Sequence, residues 1–198
     1  MDEDVFINKD ELYLFNQGEL YHSHLKFGAH IGIVNNVTGV HFVVWAPNAK
    51  QVSVVGDFNQ WRGHSHCMER QGESGVWHLF IPGLGEGQRY KYRLENNGEE
   101  FLKADPFAFY SEVRPHTASI VYNLDGYDWQ DRDWLNQREL RWRNDKPVLI
   151  YEVHLGSWKR NPDNSFYSYR QLVEELVPYL QKMNVTHLEL MPVMEHPY

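Results

Sequence analysis

Four ionisable side chains alternate with apolar ones along two short runs late in this 198-residue chain. In Tyr151-Glu152-Val153-His154-Leu155, an extended backbone puts Glu152 and His154 on one face and the apolar residues on the other. In His187-Leu188-Glu189-Leu190 the same alternation separates His187 and Glu189 from Leu188 and Leu190. Carboxylates and imidazoles gathered on one face suit a polar interior, either as reactive groups or as a hydrogen-bonded structural network, which is the commoner use of buried polar groups. Glu195 and His196 follow the second run, where they either shape a substrate site or brace the loop before Pro197. His154, His187, Glu189 and His196 also invite a metal reading, but no short His-x-x-x-His spacing accompanies them.

The elements that must position these groups can be read around them. Residues 148–155 and 185–193 read as strands, and residues 168–183 between them as a helix, a βαβ unit with a parallel strand pair. Ser168 with Gln171 three residues on makes a capping box, and Leu172, Leu176, Leu180 and Met183 line one helical face. Asn184 suits a left-handed helix end, and Pro178 inside the helix should cause a kink or a restart. A parallel sheet buried on both faces would read as unbroken Val, Ile and Leu, so the alternation points to the lumen of a (β/α) barrel. An eight-stranded barrel takes about 250 residues. The unit is therefore expected to be the first βαβ of an incomplete barrel, and the chain a fragment.

The middle of the chain has a different grammar. Residues 40–46, 51–55, 76–81, 89–95 and 118–122 are runs rich in Val, Tyr, Phe and Trp, separated by Pro47-Asn48, Gly56-Asp57, Pro82-Gly83 and Asn97-Gly98. Asn97-Gly98 is a hairpin signal, because both residues tolerate positive φ. In the first run neither face is purely polar, which predicts a β-sandwich with one face docked on a neighbour. The expected organisation is multidomain: an extension over residues 1–35 with a short helix over 9–15, an immunoglobulin-like β-sandwich over 36–125, a linker over 126–146, and the truncated barrel over 147–198.

The formal net charge of −8 argues against a nucleic-acid partner, since such binding depends on clustered Lys and Arg. No apolar run approaches the roughly 20 residues of a membrane span. Cys67 is the only cysteine, and the acidic start Met1-Asp2-Glu3-Asp4 is unlike a secretory signal, so a cytoplasmic protein is expected. Aromatic residues make up 15% of the chain, more than cores alone require, and some of them suit flat platforms for sugar rings.

The stretch Val43-Val44-Trp45-Ala46-Pro47-Asn48-Ala49, followed by Val52-Ser53-Val54-Val55-Gly56-Asp57-Phe58-Asn59-Gln60-Trp61, resembles the carbohydrate-binding module that precedes the barrel in glycogen branching enzymes. Phe27-Gly28-Ala29-His30, Ser74-Gly75-Val76-Trp77, Tyr90-Lys91-Tyr92 and Lys103-Ala104-Asp105-Pro106 fit the same pattern. The module alone is shared with isoamylase-like debranchers and trehalohydrolases. The strings Glu152-Val153-His154-Leu155-Gly156-Ser157-Trp158 and Pro192-Val193-Met194-Glu195-His196-Pro197 are similar to branching enzymes specifically. Asn184 stands where the family more often has Gly.

The resemblance implies an enzyme that cuts an α-1,4 link in a glucan and transfers the freed chain to a 6-hydroxyl. Such retaining chemistry uses a carboxylate nucleophile and an acid/base carboxyl group about 5 Å apart, with no metal or organic cofactor. The family's catalytic residues come from later barrel strands, so they are expected downstream of Tyr198 and none lies in this chain. An α-glucan such as glycogen or amylose is the implied partner. For the module, the resemblance implies substrate binding by Trp61 and Lys91, with Phe101 where related modules carry a second Trp. A brace packed against the barrel is the competing role of the module, and a stand-alone glucan-binding protein the competing reading of the chain.

Overall fold

The computed structural model describes residues 7–141 and 147–193. The chain divides into two compact units between Asp128 and Trp129. In the first, α1 (Lys9–Gln17) is followed by β1 (Gly28–Val34), β2 (Val37–Trp45), β3 (Gln51–Gly56), β4 (Glu69–Arg70), β5 (Val76–Pro82), β6 (Arg89–Asn96), β7 (Glu99–Lys103), β8 (Tyr110–Ser111) and β9 (Ser119–Ile120). These strands form two antiparallel sheets, one ordered β1-β2-β5-β4 and the other β3-β6-β9-β8, with β7 paired to β6. The hairpin expected at Asn97-Gly98 joins β6 to β7, with φ of 52° and 82° at the two residues.

The core lies between the sheets and follows the two-residue period of the strands. Val40, Phe42 and Val44 of β2, with Trp77 and Ile81 of β5, meet Val52 and Val54 of β3 and Tyr90 and Tyr92 of β6. The opposite face of β2 is also buried, as its sequence predicts. Val43 and Val76 there join Ile7 and Phe27 in a second cluster, flanked by Leu12 and Phe15 of α1. The neighbour that covers this face is thus the N-terminal helix of the same unit. That helix is closed at its start by a reciprocal capping box between Asn8 and Glu11 and at its end by Gly18 at φ 76°.

Sequence and structure differ in three places here. The first sheet already begins at Gly28, inside the segment expected to be an extension, because β1 pairs along its whole length with β2. The charged strand β7 escapes a hydrophobicity reading, since all five of its residues are exposed at a sheet edge. The stretch expected as a linker contains α2 (Arg132–Arg141).

In the second unit, β10 (Ile150–Val153) and β11 (His187–Leu190) pair in parallel, Glu152 opposite Glu189 and Val153 opposite Leu190. Between them lie the single turn α3 (Leu155–Trp158) and α4 (Tyr169–Lys182). The expected capping box between Ser168 and Gln171 starts α4, and Asn184 takes the left-handed conformation at φ 54° after its end. The helix runs through Pro178 without a restart. Leu172, Leu176 and Leu180 are buried, whereas Met183, expected on the same face, is exposed. Glu195 and His196 lie outside the described residues. Among the described residues no helix is long and apolar enough to cross a membrane, and no group of three or more His, Cys, Asp or Glu is placed to hold a metal ion.

One buried carboxylate ties β6, β9 and the segment between β7 and β8 together. Asp105 Oδ2 accepts from Tyr90 Oη at 2.6 Å and Tyr92 Oη at 3.1 Å, and Oδ1 accepts the Phe107 N–H at 2.8 Å. The Asp105 N–H donates to Ser119 Oγ at 2.9 Å. Burial holds the Asp105 carboxyl above the usual carboxylate range, against the lowering effect of its donors. Asp105→Ala should cost about 2–3 kcal/mol in urea denaturation, since it leaves the buried Tyr90 hydroxyl without its acceptor and removes those of Tyr92 Oη and the Phe107 N–H. Asp105→Asn should cost less. Because the folded-state carboxyl titrates above its unfolded value, parental stability falls as pH rises from about 4, the unfolded value, through the folded one. The penalty for Asp105→Asn should therefore be largest at acidic pH and shrink toward neutrality; a pH-independent difference would contradict this account.

Candidate functional site

The loop that leaves β3 is built to present one ring. Gly56 is needed by close approach, since a Cβ there would run into the Arg89 carbonyl oxygen and meet the Phe58 ring at 2.5 Å. Asp57, Phe58 and Asn59 make a 3-10 turn. Asn59 locks it: Oδ1 accepts the Gly56 N–H at 2.9 Å and Nδ2 donates to the Val54 carbonyl at 2.9 Å. Phe58 packs against the core, and Gln60 and Trp61 then take left-handed backbone at φ 56° and 60°. The Trp61 N–H returns to the Gly56 carbonyl at 2.9 Å. This double left-handed step turns Trp61 out of the protein, leaving it 38% exposed.

Strand alternation supplies the groove floor. Tyr90 and Tyr92 of β6 point into the core, so Arg89 and Lys91 share the outer face. A third wall comes from residues 112–118, after β8. Together Asp57, Trp61, Arg89, Lys91, Glu112, Pro115, His116, Thr117 and Ala118 line a groove of about 390 Å³. Within it Trp61 Nε1 donates to Asp57 Oδ1 at 3.0 Å and Lys91 Nζ to Thr117 Oγ1 at 2.7 Å. The hydrogen bond from Arg89 holds the Asp57 carboxyl below its ordinary range, with Trp61 adding to the effect. Glu112 is held low first by the Ala118 N–H and then by Arg89.

Of the three binding residues expected from the sequence, the structure brings Trp61 and Lys91 together. It does not bring Phe101 to them. Phe101 sits on β7 directly opposite Leu94, on the face of β6 that also carries Tyr90 and Tyr92, hence on the other side of the sheet from Lys91. Its ring is exposed there with Lys103 Nζ 6.0 Å from its centre. Asp57, Arg89, Glu112 and Thr117 were not singled out from the sequence. The i, i+2 spacing of Arg89 and Lys91 signalled a shared face; nothing in the sequence signalled the third wall. In the second unit, His154 Nδ1 and Ser157 Oγ lie 3.0 Å apart, and His187 Nδ1 and Thr186 Oγ1 2.9 Å apart.

Residues 26–108 match the family described as Carbohydrate-binding module 48 (Isoamylase N-terminal domain). The chain is 52% identical over 189 residues to the 1,4-alpha-glucan branching enzyme GlgB of Bacillus subtilis (strain 168), covering 95% of this chain and 30% of that protein. It is 53% identical over 193 residues to the enzyme of the same name from Desulfitobacterium hafniense (strain Y51), with 97% and 30% covered. Over nearly its whole length the chain is thus similar to proteins named as 1,4-alpha-glucan branching enzymes. It spans about 30% of the length of these curated relatives.

Solved structures agree on the fold. The catalytic module of SpuA, described as a glycogen-degrading pneumococcal virulence factor, superposes with a TM-score of 0.62 at 22% identity, over 86% of this chain and 27% of that one. A Klebsiella pneumoniae pullulanase complexed with maltotriose gives 0.59 at 26% identity, over 86% and 18%. The chain is thus mostly β-sheet, with the matched module over residues 26–108 and a fold shared with these solved structures. The matched segment holds Asp57, Trp61, Arg89 and Lys91 but ends before the wall at 112–118.

Gly56→Ala should force β3 and β6 apart and cost about 1–3 kcal/mol, as overpacking of a tight interior does. An unchanged urea midpoint would show that the close approach of the two strands does not constrain the loop.

Proposed function

We propose that this chain is the N-terminal part of a branching enzyme that transfers α-1,4-glucan segments to 6-hydroxyls, making α-1,6 branches in glycogen biosynthesis in the cytoplasm. The observation that carries this reading is the identity of about half of all positions, over nearly the whole chain, with proteins named as branching enzymes. In this reading residues 147–198 begin an α-amylase-type barrel, to which Glu152, His187 and Glu189 contribute part of the polar lumen. The β-sandwich binds the α-glucan. The exposed ring of Trp61 offers a flat apolar surface to the C–H face of a glucose unit, and Lys91 offers N–H donors to its hydroxyls. Phe101 stands apart from this groove and would at most serve a separate contact.

Two measurements test the proposal. The product of the whole gene, incubated with amylose, should generate new α-1,6 linkages visible as their anomeric proton signals, while the present chain alone should generate none. New reducing ends without α-1,6 links would instead indicate a hydrolase. Trp61→Ala should weaken amylose binding about tenfold, the scale of one lost aromatic contact. Binding equal to the parent would leave the sandwich a brace only.

A further inference from the structure

A single side chain joins the walls of the groove. Arg89 Nε donates to Asp57 Oδ2 at 2.7 Å on the Trp61 side, and Arg89 Nη1 donates to Glu112 Oε1 at 3.1 Å on the other. Each carboxylate also binds its own wall: Asp57 Oδ1 accepts the Trp61 indole N–H at 3.0 Å, and Glu112 Oε2 accepts the Ala118 N–H at 3.0 Å. The connection runs unbroken from the indole, through two carboxylates and one guanidinium, to the backbone of the far wall. Among the described residues, Asp57 is the only hydrogen-bond partner of the Trp61 side chain.

We propose that Arg89 is a positioning residue that clamps Asp57 to Glu112, fixing the separation of the two walls and the orientation of the Trp61 ring for a neutral oligosaccharide. The inference rests on the sugar-binding reading of the groove and adds to it the device that preforms the site. The chemistry requires arginine. Its planar fork reaches two carboxylates at once with fixed geometry, which the point charge of a lysine cannot do. One exposed hydrogen bond contributes only about 1 kcal/mol, so Asp57 holds the indole only if Asp57 is itself held. The charges also balance: Asp57 and Glu112 offset Arg89 and Lys91, leaving a groove suited to an uncharged ligand. Preorganised rings bind more tightly because less freedom is lost on association.

Four charged or titratable groups bear on Asp57. Arg89 contacts it from β6, with Lys91 on the same strand face, and Glu112 and His116 stand on the opposite wall. The Arg89 guanidinium keeps Asp57 ionised to lower pH than an ordinary aspartate. Losing Arg89 should therefore both loosen the Trp61 ring and return Asp57 toward its usual titration range.

The test labels the chain with 5-fluorotryptophan, giving seven fluorine resonances, with Trp61 assigned by Trp61→Phe. In Arg89→Met the Trp61 resonance should move while the other six stay. On acidification it should titrate near pH 4, roughly the ordinary aspartate value, whereas the parent's resonance holds its position to lower pH. Maltoheptaose should bind the variant about tenfold more weakly, the effect of one charge-assisted contact. A Trp61 resonance that does not move, or that titrates alike in both proteins, overturns the proposal. If all seven move, the fold has been disturbed and Glu112→Ala decides: a shift confined to Trp61 upholds the clamp, and an unmoved Trp61 overturns it. Should excess maltoheptaose leave the parent's Trp61 resonance unchanged, the sugar-binding reading fails, while the fluorine shifts and titration still judge the clamp.

Discussion

A carboxylate taken out of water must be surrounded by donors, and Asp105 is the constraint on which the second sheet of the first unit depends. Its donors come from separate parts of the chain: two tyrosines of β6 and the backbone at Phe107. Its own N–H reaches β9 through Ser119. Removing any one of these would leave a desolvated polar group, so the positions of β6, β9 and the segment between β7 and β8 are fixed together. The lowered acidity of Asp105 measures the desolvation that this arrangement has to offset.

The alternation of β6 carries that constraint through to the surface. Tyr90 and Tyr92 are anchored inward by Asp105, so Arg89 and Lys91 must point outward, at the depth where the loop after β3 and the wall after β8 can reach them. The wall is placed by the same network, because Ser119 and Ala118 adjoin and the Ala118 N–H holds Glu112. The groove thus follows from an interior hydrogen-bond system in two steps of one strand. Its exposed ion pairs would contribute little as isolated surface contacts. Their structural effect lies in linking elements already held by the core.

The second unit shows a different balance. Val153 of β10 with Leu176 and Leu180 of α4 forms a small core, flanked by Tyr151, Leu155, Trp158 and Val185. Each buried leucine contributes about 2 kcal/mol relative to exposure. Leu149, Ile150, Leu188, Leu190 and Met191 remain exposed, and parallel register brings Glu152 opposite Glu189. Among the residues of these two strands only Val153 is buried, whereas parallel sheets are ordinarily covered on both faces.

Much of this was legible from local sequence because local physics decides it. The capping box at Ser168, the Asn97-Gly98 hairpin, the left-handed Asn184 and the alternation of β2 each follow from backbone sterics or strand periodicity within a few residues. Trp61 and Lys91 are named by the family resemblance rather than by local physics. The rest required tertiary structure, because it turns on pairings far apart in the chain. Phe101, expected where related modules carry a second Trp, is put on the other sheet face by its register with Leu94. Nothing within ten residues of Arg89 reveals that Asp57 and Glu112, 32 positions before it and 23 after, meet on its two sides. Sequence alone determined the apolar-patterned strands, the capped helix α4 and which residues could stack or donate; the edge strands, and which of those residues share a surface, were decided only by the folded sheets, since register converts a one-residue difference into an opposite face.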